Sequence, residues 1–205
     1  MRIAVLGATG ATGRHVITAA LAAGHEVVAL ARRPAALDGI EHANLEVRAA
    51  DVTRPDTVAA AASGADALVS ALGISRGGPP DTLSNGARSV LASGVQHVAW
   101  LGSLGSGESR HRAGAAYDVI LRAVLRGGFT DKATAEALVA GPGTTVFHAV
   151  MLGDGPPTGE PRIVALEDLP RWRFMPPSVA RADVAAAMVA ELEQPAHAGQ
   201  TVAVY

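Results

Sequence analysis

The sequence predicts an α/β fold, a doubly wound parallel sheet with helices on both faces, and three observations carry that prediction. Short apolar runs rich in branched residues alternate with longer helical stretches, the order that parallel strands joined by crossover helices require. The first run ends in a glycine-spaced turn that opens a helix. Hydrophobic residues make up 49% of the chain and aromatics only 3%, so the core is built from Ala, Val and Leu, small side chains that let helices lie close on a sheet.

Arg2-Ile3-Ala4-Val5-Leu6 reads as the first strand and Thr12 to Ala23 as the helix after it, closed by Gly24. His25 to Ala31 is a second strand and Leu45 to Ala49 a third. A short helix, Asp56 to Ala62, ends at Gly64 and leads to the fourth strand, Ala67 to Leu72. Helix Thr82 to Ser93 stops at Gly94, and Val95 to Leu101 forms the fifth strand. A helical run from Tyr117 to Leu125 and a helix carrying Asp131-Lys132 precede the sixth strand, Thr144 to Met151. A short strand at Arg162 to Ala165, a helix from Val179 to Leu192 and a last strand at Thr201 to Val204 close the chain. The expected strand order is 3-2-1-4-5-6, with ligands bound at the carboxyl ends of the strands beside strand one.

The 205 residues fit one domain, 1–205, with a small substrate-side region from 103–128 and 152–178. A formal charge of −2 and a pI near 6.4 offer no field for nucleic acid or an anionic bilayer. Cysteine is absent, which excludes disulfides, thiolate nucleophiles and Cys-ligated metal, and no metal site is expected. The N-terminus leads straight into a core strand and no apolar run approaches the ~18 residues of a membrane span, so the expected setting is the cytoplasm. A monomer or weak homo-oligomer acting on a small molecule is the expected state.

Gly7-Ala8-Thr9-Gly10-Ala11-Thr12-Gly13 is the chain's chemical signature. A strand ending in such a turn aims the free N–H groups and the positive dipole end of the next helix at an anion, and pyrophosphate is the usual occupant. Gly7 permits the tight turn, Gly10 lets backbone approach the ligand and Gly13 lets the helix pack closely. About 20 residues further on, NAD-specific folds place an acidic residue on the ribose. Arg32-Arg33 stand there instead. A guanidinium binds a 2′-phosphate in bidentate fashion where a carboxylate repels it, so the expected cofactor is NADP(H).

The G-x-x-G-x-x-G spacing resembles that of the short-chain dehydrogenase/reductase superfamily, particularly its atypical branch. On that resemblance Asp51-Val52 contact the adenine, Ala71-Leu72-Gly73 wall the adenosine side, and Val150 joins the cofactor-binding set with Thr9, Ala11 and Thr12. Ser103 occupies the place of the superfamily's catalytic serine, and Lys132 that of the lysine in its Tyr-x-x-x-Lys motif. Gly128 stands where the tyrosine belongs. Without that phenol the usual proton relay between alcohols and ketones is missing, and Tyr117 lies too far ahead of Lys132 to replace it in register.

In length and motif order the whole chain resembles the biliverdin-IXβ/flavin reductase type and the NmrA-like proteins. The glycine turn, Ala31-Arg32-Arg33, Asp51-Val52, Gly102-Ser103, Asp131-Lys132 and Leu152-Gly153-Asp154 through Thr158-Gly159 carry this. The resemblance implies a Rossmann-type domain and two functions. One is an NADPH-dependent oxidoreductase passing hydride to a planar conjugated acceptor, a flavin, quinone or tetrapyrrole. The alternative is an NADP(H)-binding redox sensor or scaffold without turnover. His148 replaces an arginine common in the NmrA-like proteins, and Met151 a histidine of the reductase type.

Overall fold

The first strand, β1 (Arg2–Leu6), is buried on both faces: Ile3 and Val5 point into one apolar layer, Ala4 and Leu6 into the other. In a computed structural model, which describes residues 1–74, 78–110, 112, 128–170, 172 and 175–205, it is followed by α1 (Ala11–Ala22), β2 (Glu26–Ala31) and β3 (Leu45–Ala49). Next come α2 (Pro55–Ala62), β4 (Ala67–Ser70), α3 (Thr82–Ser93) and β5 (His97–Ser103). The second half runs α4 (Gly128–Val139), β6 (Thr144–Ala149), β7 (Met151–Gly153), β8 (Ile163–Ala165), β9 (Ser178–Ala180), α5 (Arg181–Glu193) and β10 (Thr201–Val204).

The main sheet has eight strands in the order β3-β2-β1-β4-β5-β6-β10-β8. Its first six members reproduce the expected 3-2-1-4-5-6 order, all parallel. One apolar layer holds Val16, Ile17 and Ala20 of α1 and Val184 and Met188 of α5. The opposite layer holds Val58 of α2, Leu83 and Val90 of α3, and Ala135 and Val139 of α4. Helices therefore cover both faces, which is why the strands read as continuous apolar runs rather than as an alternation.

Several features differ from the sequence expectation, and β4 stops at Ser70 rather than Leu72. β5 begins and ends two residues later than Val95 to Leu101, which carries Ser103 to the strand's end. The expected sixth strand, Thr144 to Met151, is two strands: β6 ends at Ala149 and Met151 starts β7 in a separate two-stranded sheet with β9. The expected helix Val179 to Leu192 begins only at Arg181, because Ser178–Ala180 pair with β7. The sheet is also not parallel throughout, since β8 runs antiparallel to β10 at its edge. Apolar patterning registers burial but not the partner strand, so a break unmarked by Gly or Pro at Val150 leaves no trace in it. The helical run Tyr117 to Leu125 lies outside the described residues.

Candidate active site

The carboxyl ends of β1, β2, β5 and β6 and the segments after β3 and β4 open into one cleft of ≈ 500 Å³. At its centre is the glycine turn. Gly7 adopts a φ of +80°, and a side chain there would begin 2.7 Å from the carbonyl oxygen of Ala71. Gly10 donates its N–H to Gly7 O at 2.9 Å, closing the turn. No side chain caps α1 and its first turn carries no acidic residue, so the leading N–H groups of the helix are left to a ligand. Thr9, Gly10, Ala11 and Thr12 line the cleft beside Gly7. Gly13 does not: its Cβ position falls 2.1 Å from Gly7 O, so its part is to let the helix close on the turn.

On the β2 side the wall is Ala31 and Arg32, and facing them are Ala50, Asp51, Val52 and Thr53. Arg33 does not line the cleft; it is exposed and precedes a single 3₁₀ turn, Pro34–Leu37. The Asp51 carboxylate accepts from Thr53 N–H and Thr53 Oγ1, both at 2.9 Å. The Thr53 N–H bond, then its hydroxyl and the Arg32 charge, hold Asp51 below the usual carboxylate range against the opposing effect of burial. Ala71, Leu72 and Gly73 form the next stretch. Leu72 rests on α3 at Gly86, where a Cβ would meet Leu72 Cδ1 at 2.3 Å, so this wall is seated on a glycine the sequence reading did not single out.

The far end brings together Gly102, Ser103, Lys132, Ala149, Val150, Leu152 and Arg181. Ser103 terminates β5, and its carbonyl is held by the N–H and hydroxyl of Ser106 at 3.0 and 2.6 Å. Lys132 faces the cleft from α4. Burial pushes its ammonium below the usual lysine range, opposed by the charges of Glu136 and Asp131. Glu136, four residues further along α4, is 7% exposed and turns inward. Its Oε1 lies 2.7 Å from Ser106 Oγ and competes with the Ser103 carbonyl for that hydroxyl's one proton, and its Oε2 lies 3.3 Å from His148 Nε2.

His148 is buried in β6 behind this end of the cleft rather than in it, with Nδ1 2.7 Å from Ser109 Oγ. Gly102, its register partner on β5, has no room for a side chain, because a Cβ would lie 2.6 Å from Glu136 Oε1 and 2.7 Å from His148 Cδ2. The pair thus fills the space that this glycine leaves. Met151, exposed on β7, does not line the cleft, and Tyr117 lies outside the described residues.

Two further anchors were missed by sequence reasoning. Asp131 is buried, and its carboxylate accepts from Leu83 N–H at 2.8 Å and Ser84 N–H at 3.0 Å. It caps α3 from α4, a role that no local spacing reveals. At the other end, Asp183 accepts from Thr158 N–H, Thr158 Oγ1 and Gly159 N–H at 2.8–2.9 Å, tying the loop after β7 to the start of α5. Burial raises the Asp183 carboxyl, but these bonds outweigh it and hold the group below its ordinary range. Among the described residues no helix is long and apolar enough to cross a membrane, and no cluster of His, Asp or Glu can hold a metal ion.

Comparison with known proteins agrees with this geometry. The oxidoreductase ylbE from Lactococcus lactis superposes with a TM-score of 0.80 at 18% identity, covering 100% of this chain and 90% of that one. ChuY, an anaerobillin reductase from Escherichia coli O157:H7, gives 0.79 at 22% identity over 100% and 96% of the two chains. A wide-type short-chain dehydrogenase/reductase from Veillonella parvula, solved with NADP, gives 0.78 at 15% identity over 99% and 93%. At these identities the likeness is one of fold. A family model described as NAD(P)H-binding matches residues 7–195, from the glycine turn almost to the end of the chain. With its turn, its strand order and this match in agreement, the chain belongs to that NAD(P)H-binding family.

Proposed function

We propose that this protein is a cytoplasmic NADPH-dependent reductase acting on a planar conjugated acceptor such as a flavin, quinone or tetrapyrrole. The observation that carries the reading is the continuity of the cleft, from the glycine turn and Arg32 at one end to Ser103 and Lys132 at the other. The residues fit a dinucleotide: the turn is side-chain-free where backbone must approach a pyrophosphate, α1 is uncapped, and Gly73 has open space in front of it. When bound, the cofactor supplies a hydride from its nicotinamide ring.

Gly7, Thr9, Gly10, Ala11 and Thr12 hold the pyrophosphate, with Gly13 closing the helix behind it. Arg32 holds the 2′-phosphate, and Arg33 adds positive charge from outside the cleft. Asp51, Val52, Ala71, Leu72 and Gly73 enclose the adenosine, and Val150 backs the nicotinamide end. Ser103 Oγ donates to the acceptor carbonyl or to the nicotinamide amide. Lys132 Nζ binds a ribose hydroxyl or orients the water that protonates the reduced acceptor, and its burial strengthens both roles by thinning the competing solvent. No phenol is needed, because a conjugated acceptor spreads the incoming negative charge and takes its proton from solvent.

The test is loss of NADPH absorbance with a panel of flavins, quinones and biliverdin, run beside direct binding of NADPH and NADP⁺. At least one acceptor is expected to turn over, with Lys132→Met lowering kcat/KM roughly 10²-fold or more. A second reading, a dinucleotide sensor without turnover, draws on one observation: α4 starts at Gly128, so its first turn carries no tyrosine four residues before Lys132. Binding of NADPH with no turnover of any acceptor would establish that reading instead.

Cofactor choice is tested separately. Arg32→Ala is expected to weaken NADPH by ~1–3 kcal/mol, the range of a charge-assisted contact, and NADH far less. Equal losses for the two nucleotides in a fluorescence titration would remove Arg32 from the 2′-phosphate.

A further inference from the structure

We infer that Arg181 is a specificity-determining residue that recognises an anionic group, a carboxylate or phosphate, on the acceptor; this rests on the reductase reading above. Arg181 opens α5 and lines the catalytic end of the cleft together with Ser103, Lys132 and Leu152. Its guanidinium side chain is 22% exposed, and its Nη1 donates to Asp154 Oδ1 at 2.5 Å. Asp154 is a different kind of partner. It stands 81% exposed on the loop after β7, so the carboxylate that holds the half-buried cation is itself largely in solvent.

Charge on the cleft lining is one-sided, although Glu136, Asp131 and Asp183 stand behind it. At this end of the cleft the described lining side chains include two cations, Lys132 and Arg181, and no carboxylate; the one lining carboxylate, Asp51, lies at the adenosine end beside Arg32. Two partly desolvated cations over an acceptor site favour a ligand that brings negative charge, and a guanidinium has five donors of which a single contact to Asp154 uses one. The Asp154 carboxylate thus stands in for the ligand's own anion and is displaced from Arg181 when that anion arrives. The cation itself is well placed to stay put. Asp183, two residues on, is fixed by three hydrogen bonds from Thr158 and Gly159, which immobilise the start of α5 while leaving Asp154, nearer the loop's beginning, outside that clamp.

FMN and riboflavin are the probes, because they share the isoalloxazine ring and differ by one phosphate. Binding is read from quenching of flavin fluorescence on the NADP⁺-loaded protein, with NADPH oxidation measured in parallel. FMN is expected to bind at least tenfold more tightly than riboflavin. Arg181→Gln should weaken FMN roughly tenfold to hundredfold, the range of a lost charged contact, and leave riboflavin unchanged. Arg181→Lys should recover part of the loss. Asp154→Asn should act in the opposite direction and tighten FMN, since it removes the competing carboxylate; a merely structural ion pair would instead move both variants the same way. Equal affinity for the two flavins, failure of FMN to bind, or a parallel loss in Asp154→Asn would each overturn the proposal. A drop in NADPH or NADP⁺ affinity in Arg181→Gln as large as the drop for FMN would overturn it too, by placing Arg181 on a cofactor phosphate. FMN selectivity without NADPH oxidation would overturn the reductase reading and leave the anion site standing.

Discussion

Gly13→Ala is expected to cost about 3 kcal/mol of stability, at the top of the range for overpacking, and to lower NADPH affinity by more than roughly 10²-fold, or about 2.7 kcal/mol. The added methyl would lie 2.1 Å from Gly7 O, 2.8 Å from Gly7 C and 2.9 Å from Ala8 Cα. All three are backbone atoms of the glycine turn, so no rotamer change relieves the contact. Relief requires α1 to lift from β1 or the turn to open. Either movement turns the helix N–H groups away from the place proposed for the pyrophosphate, which is why binding and stability are expected to fall together. Gly39→Ala serves as the control: its Cβ position has nothing within 4 Å and its backbone is not in the left-handed region. Urea denaturation and fluorescence titration with NADPH give the two quantities, and near wild-type affinity in Gly13→Ala would contradict the packing assigned to that residue.

Asp131→Ala is expected to cost about 2–4 kcal/mol, because two buried amide N–H groups, those of Leu83 and Ser84, lose their acceptor together. Removal of one unshared surface carboxylate would cost far less. Asp131→Asn separates the two contributions: its carbonyl oxygen still accepts one bond while its amide nitrogen accepts none, so about half the loss is expected. The effect extends to the site, since Asp131 adjoins Lys132 and its contacts are what tie α4 to the start of α3. Turnover should therefore drop in Asp131→Ala even under conditions where the protein remains folded. A melting temperature within a degree or two of wild type would show that α3 does not depend on this cap.

The glycine turn, Arg32, Asp51 and the alternation of strands and helices were legible in the sequence because each is a local pattern with a local cause. A turn with positive φ needs glycine, a helix start needs open N–H groups, and a strand covered on both sides needs apolar residues at every position. Ser103 and Lys132 were found by their order relative to β5 and the sixth strand, and the cleft does bring them together. Arg181 was not found, because its place beside them depends on β7 and β9 pairing outside the main sheet, which moves the helix start from Val179 to Arg181. The inward turn of Glu136 was not legible either, because its i, i+4 spacing from Lys132 describes one helix and not what that helix faces.

The sequence by itself therefore determined the fold class, the order of the central strands and the glycine turn that opens the first helix, since these follow from residue type and spacing within a few positions of one another. Tertiary structure alone decided that Asp131 caps a helix 48 residues away, that Glu136 and His148 fill the space beside Gly102, and that Arg181 joins Lys132 in the lining of one cleft. Those outcomes depend on which surfaces meet when the helices close on the sheet, and burial turns a side chain that looks free in the sequence into a partner for whatever lies across the interface.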